Sequence, residues 1–140
     1  MEIYKTSELI GKSSRLLTKL MSLELLKSNM GITSEQWILL QLLHNRSMNQ
    51  KEIGELTLKN KATISSLVTY LFKSGLINKT KSKRDKRQMI LSITKKGKSL
   101  LEQSNSHAFK SITKATIDFS EIEINVLNNY LTRVINNLME

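Results

Sequence analysis

The sequence predicts a mainly α-helical fold that carries one small β-hairpin. Apolar residues recur every three or four positions in several long segments, which is the period of an amphipathic helix. Strand-like alternation is clearest at Met89, Leu91 and Ile93, which would share one face. Proline is absent from the 140 residues, so no helical pattern is sharply interrupted.

The composition is that of one soluble globular domain. Hydrophobic residues make up 39% of the chain and charged residues 24%, and no apolar run approaches the length of a membrane span. Glu2 and Lys5 place charges where a signal segment would be apolar, so we expect a cytoplasmic protein. Cysteine is absent, which excludes disulfides and thiolate metal sites and suits a reducing compartment.

The first two helices are predicted from leucine spacing and a capping signal. The first carries Leu9, Leu16, Leu20 and Leu23 at near-heptad spacing. We expect it to end at Gly31, because glycine readily takes the left-handed conformation that closes a helix. Thr33 and Gln36 have the spacing of a capping box, which starts the second helix. That helix is apolar on most of its circumference, so it should be central; its apolar residues are Trp37, Leu39, Leu40, Leu42 and Leu43.

A short third helix is predicted to begin at Asn49, because Glu52 follows three residues later. We expect it to turn Ile53 and Leu56 toward the core. Gly54 lies where a second helix would approach closely.

The fourth helix is predicted over about 60–74 and has two different faces. Its expected buried stripe is Ile64, Leu67, Val68, Leu71 and Phe72. The opposite face consists of Lys61, Thr63, Ser65, Ser66 and Thr69. This face lacks the Glu–Lys pairs of an ordinary solvated helix, which suggests that it meets a partner.

The predicted β-hairpin directly follows the fourth helix in the sequence. Gly75 ends the helix, Leu76 and Ile77 begin one strand, and the loop 81–87 carries five positive charges and one negative charge. Thr94 is then expected to cap a long helix that reaches about Thr116.

The last helix is predicted to begin at Asp118 or Ser120. Its apolar residues form a seam with the spacing of a coiled coil: Ile124, Leu127, Leu131, Val134 and Leu138. The first and last helices therefore both carry apolar stripes far from the basic hairpin.

The net charge of +10 is concentrated in one block of the chain. Residues 59–98 contain twelve Lys or Arg and a single acid, Asp85, whereas the rest is nearly neutral. A neutral body with one basic lobe is typical of a protein that binds phosphates. An anionic membrane is disfavoured as the partner, because the basic block lacks the long apolar face of an interfacial helix.

Two helices joined by a short turn and followed by a basic hairpin predict a winged helix-turn-helix. A helix with short polar side chains fits the major groove of DNA, and a cationic loop tip reaches the neighbouring minor groove. The competing interpretation is that these residues are simply the surface of an α+β domain. The coincidence of charge block, helix face and hairpin favours nucleic-acid binding.

The sequence also resembles the MarR (multiple antibiotic resistance regulator) family over nearly its full length. The matching segments are 31–37, 50–56, 61–65, 71–77, the wing motif 84–87 and the segment 93–97. The resemblance implies a homodimeric bacterial transcription regulator of six helices and a short hairpin. It also implies that residues 33–98 form the DNA-binding lobe and that 1–30 and 100–140 form dimerisation helices.

The resemblance assigns roles to individual wing and helix residues. Arg87 corresponds to the arginine that enters the minor groove, and Asp85 to the acid that supports the wing by pairing with arginine. Two positions depart from the family: Ser66 stands where many members have arginine, and Leu58-Lys59 stands where many have glycine. The residues expected to contact double-stranded DNA are Asn49, Gln50, Lys59, Asn60, Lys61, Thr63, Ser65, Ser66, Thr69, Lys79, Lys81, Lys83, Arg84 and Arg87.

A small-molecule site is a further expectation from the resemblance. A small aromatic or phenolic effector would bind between the lobe and the dimer helices, in a pocket formed by Leu16, Leu20, Trp37 and Leu40. The competing interpretation is that Trp37 is an ordinary core residue. His44 and His107 lack the spacing of a metal site, so neither a metal nor a cofactor is expected.

The leading hypothesis is a dimeric, sequence-specific regulator that represses from a pseudo-palindromic operator and is released by an effector. The alternative is a winged-helix protein-interaction module that binds DNA only non-specifically. An enzyme is not expected, because the chain has no catalytic cysteine, phosphate-binding glycine loop or supported triad.

Overall fold

The computed structural model describes residues 1–140 as six helices and one two-stranded antiparallel sheet. The helices are α1 (Glu2–Lys27), α2 (Ser34–Asn45), α3 (Gln50–Thr57), α4 (Lys61–Lys73), α5 (Lys95–Ala115) and α6 (Glu121–Met139). The strands β1 (Ile77–Lys81) and β2 (Met89–Ile93) form a hairpin between α4 and α5. The predicted mainly α fold with a hairpin is confirmed. No helix has both the length and the apolar character needed to cross a membrane.

The predicted helix starts are formed by side-chain caps. Thr33 with Gln36 and Asn49 with Glu52 both make complete capping boxes. Thr94 accepts from the backbone N–H of Gly97, which begins α5. The last helix begins at Ser120, because its hydroxyl accepts from the N–H of Glu123 whereas Asp118 lies in the preceding turn with φ 64°.

The core is built around α2, with contributions from every helix except α6. Leu39 and Leu40 are almost wholly buried, and they meet Ile53 from α3 and Val68 from α4 within one apolar cluster. The long helix α5 supplies Leu101 and Ala108. The helix-turn-helix, the hairpin and α5 thus share a single core, which fixes their mutual positions.

A third chain segment is hydrogen-bonded to the root of the hairpin. Met48 pairs with Leu91 of β2 through two backbone hydrogen bonds of 3.1 and 2.9 Å. The other strand, β1, pairs with β2 from Ile77 opposite Ile93 to Lys81 opposite Met89. The hairpin is therefore held to the segment that immediately precedes α3.

The start of α5 is packed tightly against the start of the hairpin. Thr94 donates its backbone N–H to the Leu76 carbonyl at 3.1 Å and its hydroxyl to the Gly75 carbonyl at 2.7 Å. Gly97 lies against the same Leu76 carbonyl, where any side chain would clash. Gly75 has φ 74°, as its predicted role at the end of α4 requires.

Several sequence expectations about single residues are wrong. Helix α1 ends at Lys27, with Asn29 left-handed at φ 60°, so Gly31 lies beyond its end. Leu56 is 56% exposed, because the eight-residue α3 turns only Ile53 fully into the core. A Cβ atom added at Gly54 would meet only the Lys59 carbonyl, at 3.6 Å, so no second helix packs closely against this glycine. The close approach occurs at Gly97 instead.

Phe72 was also predicted to be buried, but it is 45% exposed. Its ring lies at the end of α4 beside the hairpin, and the Lys79 ammonium sits 4.7 Å from the ring centre. A cation–π contact with a strand residue has replaced burial in the core.

The two terminal helices, α1 and α6, differ in how far the rest of the chain buries them. Helix α1 packs along α5 and buries Leu25, yet Leu9, Leu16 and Leu23 remain about half exposed. Helix α6 buries no residue at all. Of its predicted seam, Leu127, Leu131 and Leu138 are exposed in the single chain, whereas Ile124 and Val134 are half-buried.

Candidate nucleic-acid interface

The turn between α3 and α4 is closed by a leucine in the left-handed conformation. Leu58 has φ 57° and ψ 22°, and its backbone N–H donates to the Gly54 carbonyl at 2.8 Å. Its side chain is 73% exposed. The turn therefore forms without the glycine that many members of the resembled family have there. A leucine in this conformation is strained, and the packing of α3 and α4 holds it in place.

Helix α4 presents a face of small polar side chains to solvent. Ser65, Ser66 and Thr69 are exposed, and Thr63 is half-buried beside them. The helix starts at Asn60, whose side chain accepts from the backbone N–H of Thr63 at 2.8 Å. The exposed face can come close to a partner surface because none of its central side chains is long.

The tip of the wing, residues 82–88, is ordered by its own side chains. The Ser82 hydroxyl accepts from the backbone N–H groups of Arg84 and Asp85 at 3.2 and 3.4 Å. The Asp85 carboxylate accepts from the backbone N–H of Arg87 at 3.0 Å. Ser82 also donates its N–H to the Gln88 carbonyl at 2.9 Å, which closes the loop.

The expected pairing of Asp85 with an arginine side chain is not formed. Its carboxylate makes no ion pair, because the tight turn directs it at the backbone of Arg87 instead. The side chains of Arg84 and Arg87 are exposed at the tip and have no ion-pair partner. Asp85 thus shapes the loop while both arginines remain free for a ligand.

A side-chain hydrogen bond joins the wing to the start of α3. Asn49 Oδ1 accepts from the backbone N–H of Glu52 at 2.9 Å, and Asn49 Nδ2 donates to Gln88 Oε1 at 3.3 Å. Asn49 is therefore engaged in holding two elements together. Its neighbour Gln50 lines a concavity between α3 and α4.

Not all of the lysines predicted to contact DNA are free. Lys59 pairs with Glu35 at 3.3 Å, and Lys79 rests over the Phe72 ring. Lys81 and Lys83 are exposed. A concavity of about 440 Å³ between α3 and α4 is lined by Gln50, Lys51, Gly54, Glu55, Lys59, Lys61 and Ile64.

An ion pair ties the end of α2 to the first turn of α3. The Arg46 guanidinium donates to Glu52 at 2.7 Å, and the Asn49 backbone N–H donates to the same carboxylate at 3.4 Å. These contacts, the Arg46 bond foremost, hold the pKa of Glu52 below its ordinary value of 4.5. The charged carboxylate also lies at the positive end of the α3 dipole.

The four residues expected to form an effector pocket occupy different environments. Trp37 and Leu40 are buried, Leu20 is half-buried and Leu16 is 56% exposed. The Trp37 indole donates to Asn105 Oδ1 at 3.1 Å and packs edge-on against Phe109, with 5.6 Å between ring centres. The tryptophan therefore has its polar and apolar partners within the chain.

The two histidines are far apart in sequence and differ in their surroundings. His44 is exposed near the end of α2, and His107 is half-buried on α5 with its Nδ1 atom unpartnered. No group of three His, Asp or Glu side chains comes together in the chain.

Phe72 and Gln88 make contacts at the wing that the sequence did not indicate, whereas Ser82 has a local sequence signal. A serine three residues before an aspartate in a basic loop is a local hydrogen-bonding signal, so Ser82 was accessible to sequence reasoning. The contact of Gln88 with Asn49 spans 39 positions and has no local signature.

Comparison with known proteins agrees with this geometry. A family model described as transcriptional regulator SarA/Rot matches residues 19–104. The structure is similar to a mutant of MarR from E. coli complexed with operator DNA, with a TM-score of 0.80, 19% identity and 95% coverage of both chains. No curated protein sequence matches the chain.

Two further solved structures are similar over almost the same length. An uncharacterized SlyA-like transcription regulator from Listeria monocytogenes has a TM-score of 0.78 and 28% identity, covering 94% of this chain and 87% of its own. BpsR from Bordetella bronchiseptica, whose DNA binding is regulated by 6-hydroxynicotinic acid, has a TM-score of 0.77 and 18% identity, covering 93% and 91%. The fold is that of the MarR-type winged helix.

Proposed function

The chain belongs to the SarA/Rot family of transcriptional regulators, and on this premise we propose that it is a homodimeric, sequence-specific repressor. The observation that carries the proposal is that two exposed features belong to elements held together in one lobe. The exposed polar face of α4 and the unpaired arginines of the wing are joined through the shared core and the Asn49–Gln88 hydrogen bond. These are the two elements that a winged helix applies to adjacent DNA grooves.

In this proposal residues 33–98 form the DNA-binding lobe. Lys61, Ser65, Ser66 and Thr69 read base edges in the major groove, while Arg87 enters the minor groove. The exposed lysines of the wing, Lys81 and Lys83, contact phosphates and set the register. Lys59 and Lys79 join them only after leaving Glu35 and Phe72, so we assign them smaller contributions.

The terminal helices, 1–30 and 100–140, form the dimer in this proposal. Helix α6 carries an apolar seam of which no residue is fully buried within its own chain, and the exposed leucines of α1 offer further apolar surface. A twofold dimer would place two α4 helices in successive major grooves, roughly 34–36 Å apart, and so require a pseudo-palindromic operator. Such a regulator would act in the cytoplasm.

Release by a small aromatic or phenolic effector is part of the proposal. Its support is the similar fold of BpsR, whose DNA binding is regulated by 6-hydroxynicotinic acid. An effector would act by favouring dimers whose two lobes are wrongly separated for the operator.

Selection of bound duplexes from a random DNA library at physiological salt tests this function. We expect a palindromic motif whose half-sites are about one helical turn apart. Regulation in the repressing direction is then checked by placing the recovered motif in a promoter and measuring transcription with and without the protein. Enrichment of no motif, together with salt-sensitive binding to all duplexes, would overturn the sequence-specific function.

One observation favours a second candidate function. The exposed face of α4 has serines at positions 65 and 66 and no arginine, so it lacks the strongest side chain for bidentate guanine contact. A winged-helix protein-interaction module with non-specific DNA affinity would have such a face. Failure of the duplex selection would favour it.

A further inference from the structure

The wing is attached to the segment that precedes α3 at two levels. At the root of the hairpin, Leu91 exchanges two backbone hydrogen bonds with Met48, of 3.1 and 2.9 Å. Nearer the tip, Gln88 Oε1 accepts from Asn49 Nδ2 at 3.3 Å. Three residues of extended chain place these two levels up to about 10 Å apart. Two points of attachment fix a direction, whereas one point leaves a pivot.

The attachment at Gln88 is the one that holds the tip. It is the only hydrogen bond that joins residues 80–90 to any residue outside the hairpin, and these residues make no ion pair. The contact of Lys79 with Phe72 lies at the level of the root, because Lys79 is paired with Leu91 in the sheet. Without the bond to Gln88, the hairpin could therefore pivot about its root.

The two residues in this contact are each fixed by further hydrogen bonds. Asn49 Oδ1 accepts from the Glu52 backbone N–H at 2.9 Å, which caps α3 and leaves the Nδ2 group to face the wing. The Gln88 backbone closes the tip, because its carbonyl accepts from the N–H of Ser82 and its own N–H donates to the Asp85 carbonyl at 3.0 Å. The bond therefore connects the first turn of α3 with the closed loop of the wing.

We propose that Asn49 and Gln88 are positioning residues, which hold the wing at the angle that lets Arg87 reach the groove beside α4. Asn49 acts through the wing instead of making the direct DNA contact expected from the sequence. This consequence for binding rests on the proposed function, whereas the fixed orientation of the wing does not. An exposed hydrogen bond between neutral groups contributes little to global stability, so its loss should redirect the wing without unfolding the lobe.

Residual dipolar couplings of the backbone amides in the free, isotopically labelled protein measure the orientation of the wing relative to α3. Asn49→Ser removes the Nδ2 donor but keeps an oxygen that caps α3, because serine is as good an N-cap as asparagine. We expect the couplings of residues 82–88 to shrink in this variant, while those of the helices stay unchanged. Asn60→Ser is the matched control, because Asn60 caps α4 in the same way without a bond to the wing, and it should retain the wild-type couplings.

Two substitutions at Gln88 separate the hydrogen bond from the bulk of the side chain. Gln88→Glu keeps an oxygen acceptor and should retain the wild-type couplings in the free protein. Gln88→Met has an unbranched side chain of similar length without that acceptor, and it should lose them. Wild-type couplings in both Asn49→Ser and Gln88→Met, or equal losses in the Glu and Met variants, would overturn the positioning role.

A double-mutant cycle on a selected operator, measured by fluorescence anisotropy, tests the consequence for binding. Asn49→Ser should weaken binding about fivefold when Arg87 is present and have little effect in Arg87→Ala, because a misplaced wing matters only while it carries the arginine. An equal loss in both backgrounds would show that Asn49 contacts DNA itself, and would overturn its action through the wing. If the duplex selection yields no operator, the proposed function fails, and the couplings of the free protein still decide whether the pair orients the wing.

Discussion

The carbonyl oxygen of Leu76 is in direct contact with Gly97, so the first turn of α5 and the start of the hairpin touch backbone to backbone. A Cβ atom at position 97 would clash with that oxygen and would also lie 2.8 Å from Ile93 Cγ1. The packing of α5 against the hairpin therefore depends on residue 97 having no side chain.

We expect Gly97→Ala to lower the free energy of unfolding by about 1–3 kcal/mol, the usual cost of forcing an extra group into a packed interior. Urea denaturation followed by circular dichroism measures it. Gly54→Ala is the matched control, because a Cβ there meets only the Lys59 carbonyl at 3.6 Å. Alanine is the better helix former, so the control should be neutral or stabilising. Equal unfolding free energies for the two variants would refute the tight contact.

At the turn closed by Leu58, we expect a substitution to raise the free energy of unfolding instead of lowering it. A side chain in the left-handed conformation costs about 1–2 kcal/mol, and the Leu58 side chain is too exposed to recover this by burial. Leu58→Gly should therefore raise the free energy of unfolding by about 1 kcal/mol after the greater freedom of glycine in the unfolded chain is deducted. Leu56→Gly, within α3, should lower it by about 1 kcal/mol. A destabilised Leu58→Gly protein would show that the leucine makes contacts outweighing its strain.

Removing the wing arginine should weaken DNA binding without affecting the fold. For Arg87→Ala we expect a loss of about 1–3 kcal/mol in binding free energy, measured by fluorescence anisotropy on a selected operator. The exposed side chain makes no contact that stabilises the chain, so the melting temperature should not move. Lys110→Ala removes an equal charge from α5 and serves as the control. Operator affinity that is the same in the Arg87 and Lys110 variants would remove Arg87 from the interface.

The Arg46–Glu52 pair predicts a pH dependence of stability. Because the pKa of Glu52 is lowered in the folded protein, the charged carboxylate stabilises the fold. This contribution is complete at neutral pH, declines as the pH falls below the ordinary value of 4.5, and is gone below the lowered pKa.

Carbon-detected NMR titration of the Glu52 carboxyl checks the direction of the shift. Arg46→Gln removes the strongest contact and should move the midpoint up toward 4.5. In urea denaturation, Glu52→Gln should flatten the acid side of the stability profile. If the titration midpoint of Glu52 is the same in Arg46→Gln and in the wild type, the Arg46–Glu52 ion pair is not formed in solution.

The apolar seam of α6 predicts a substitution that separates the subunits. Leu131→Glu places a charge at the centre of the seam, and we expect a monomer by size-exclusion chromatography with light scattering. Asn129→Glu introduces the same group on roughly the opposite side of the helix and should leave a dimer. If Leu131→Glu remains dimeric, another surface joins the subunits.

Local rules predicted most of the fold but not its long-range contacts. Thr33, Asn49 and Thr94 could be assigned as caps because capping depends on neighbours within three residues. The stripe of α4 followed from its period, with the exception of Phe72 at its end. There the side chain lies beyond the core and meets Lys79, a contact that depends on how the hairpin packs.

The candidate interface was predictable in composition and less so in geometry. The exposed serines of α4 and the basic tip were visible as residue types in sequence. The partner of Asp85 was predicted wrongly because two donors, an arginine side chain and a backbone N–H, lie equally near in sequence. Only the turn geometry selects the backbone of Arg87. The burial of Trp37 against Asn105 likewise depends on how α2 crosses α5.

The hydrogen bonds that Ser82 and Asp85 make within the wing have a consequence for affinity. A cationic loop without internal order would lose backbone conformational entropy when it entered a groove, and fixing the backbone of one residue costs about 1–2 kcal/mol. Here the backbone from 82 to 88 is already closed in the free protein. Only the outer arginine and lysine side chains are left to become fixed on binding, so most of the attraction between wing and phosphates is retained as affinity.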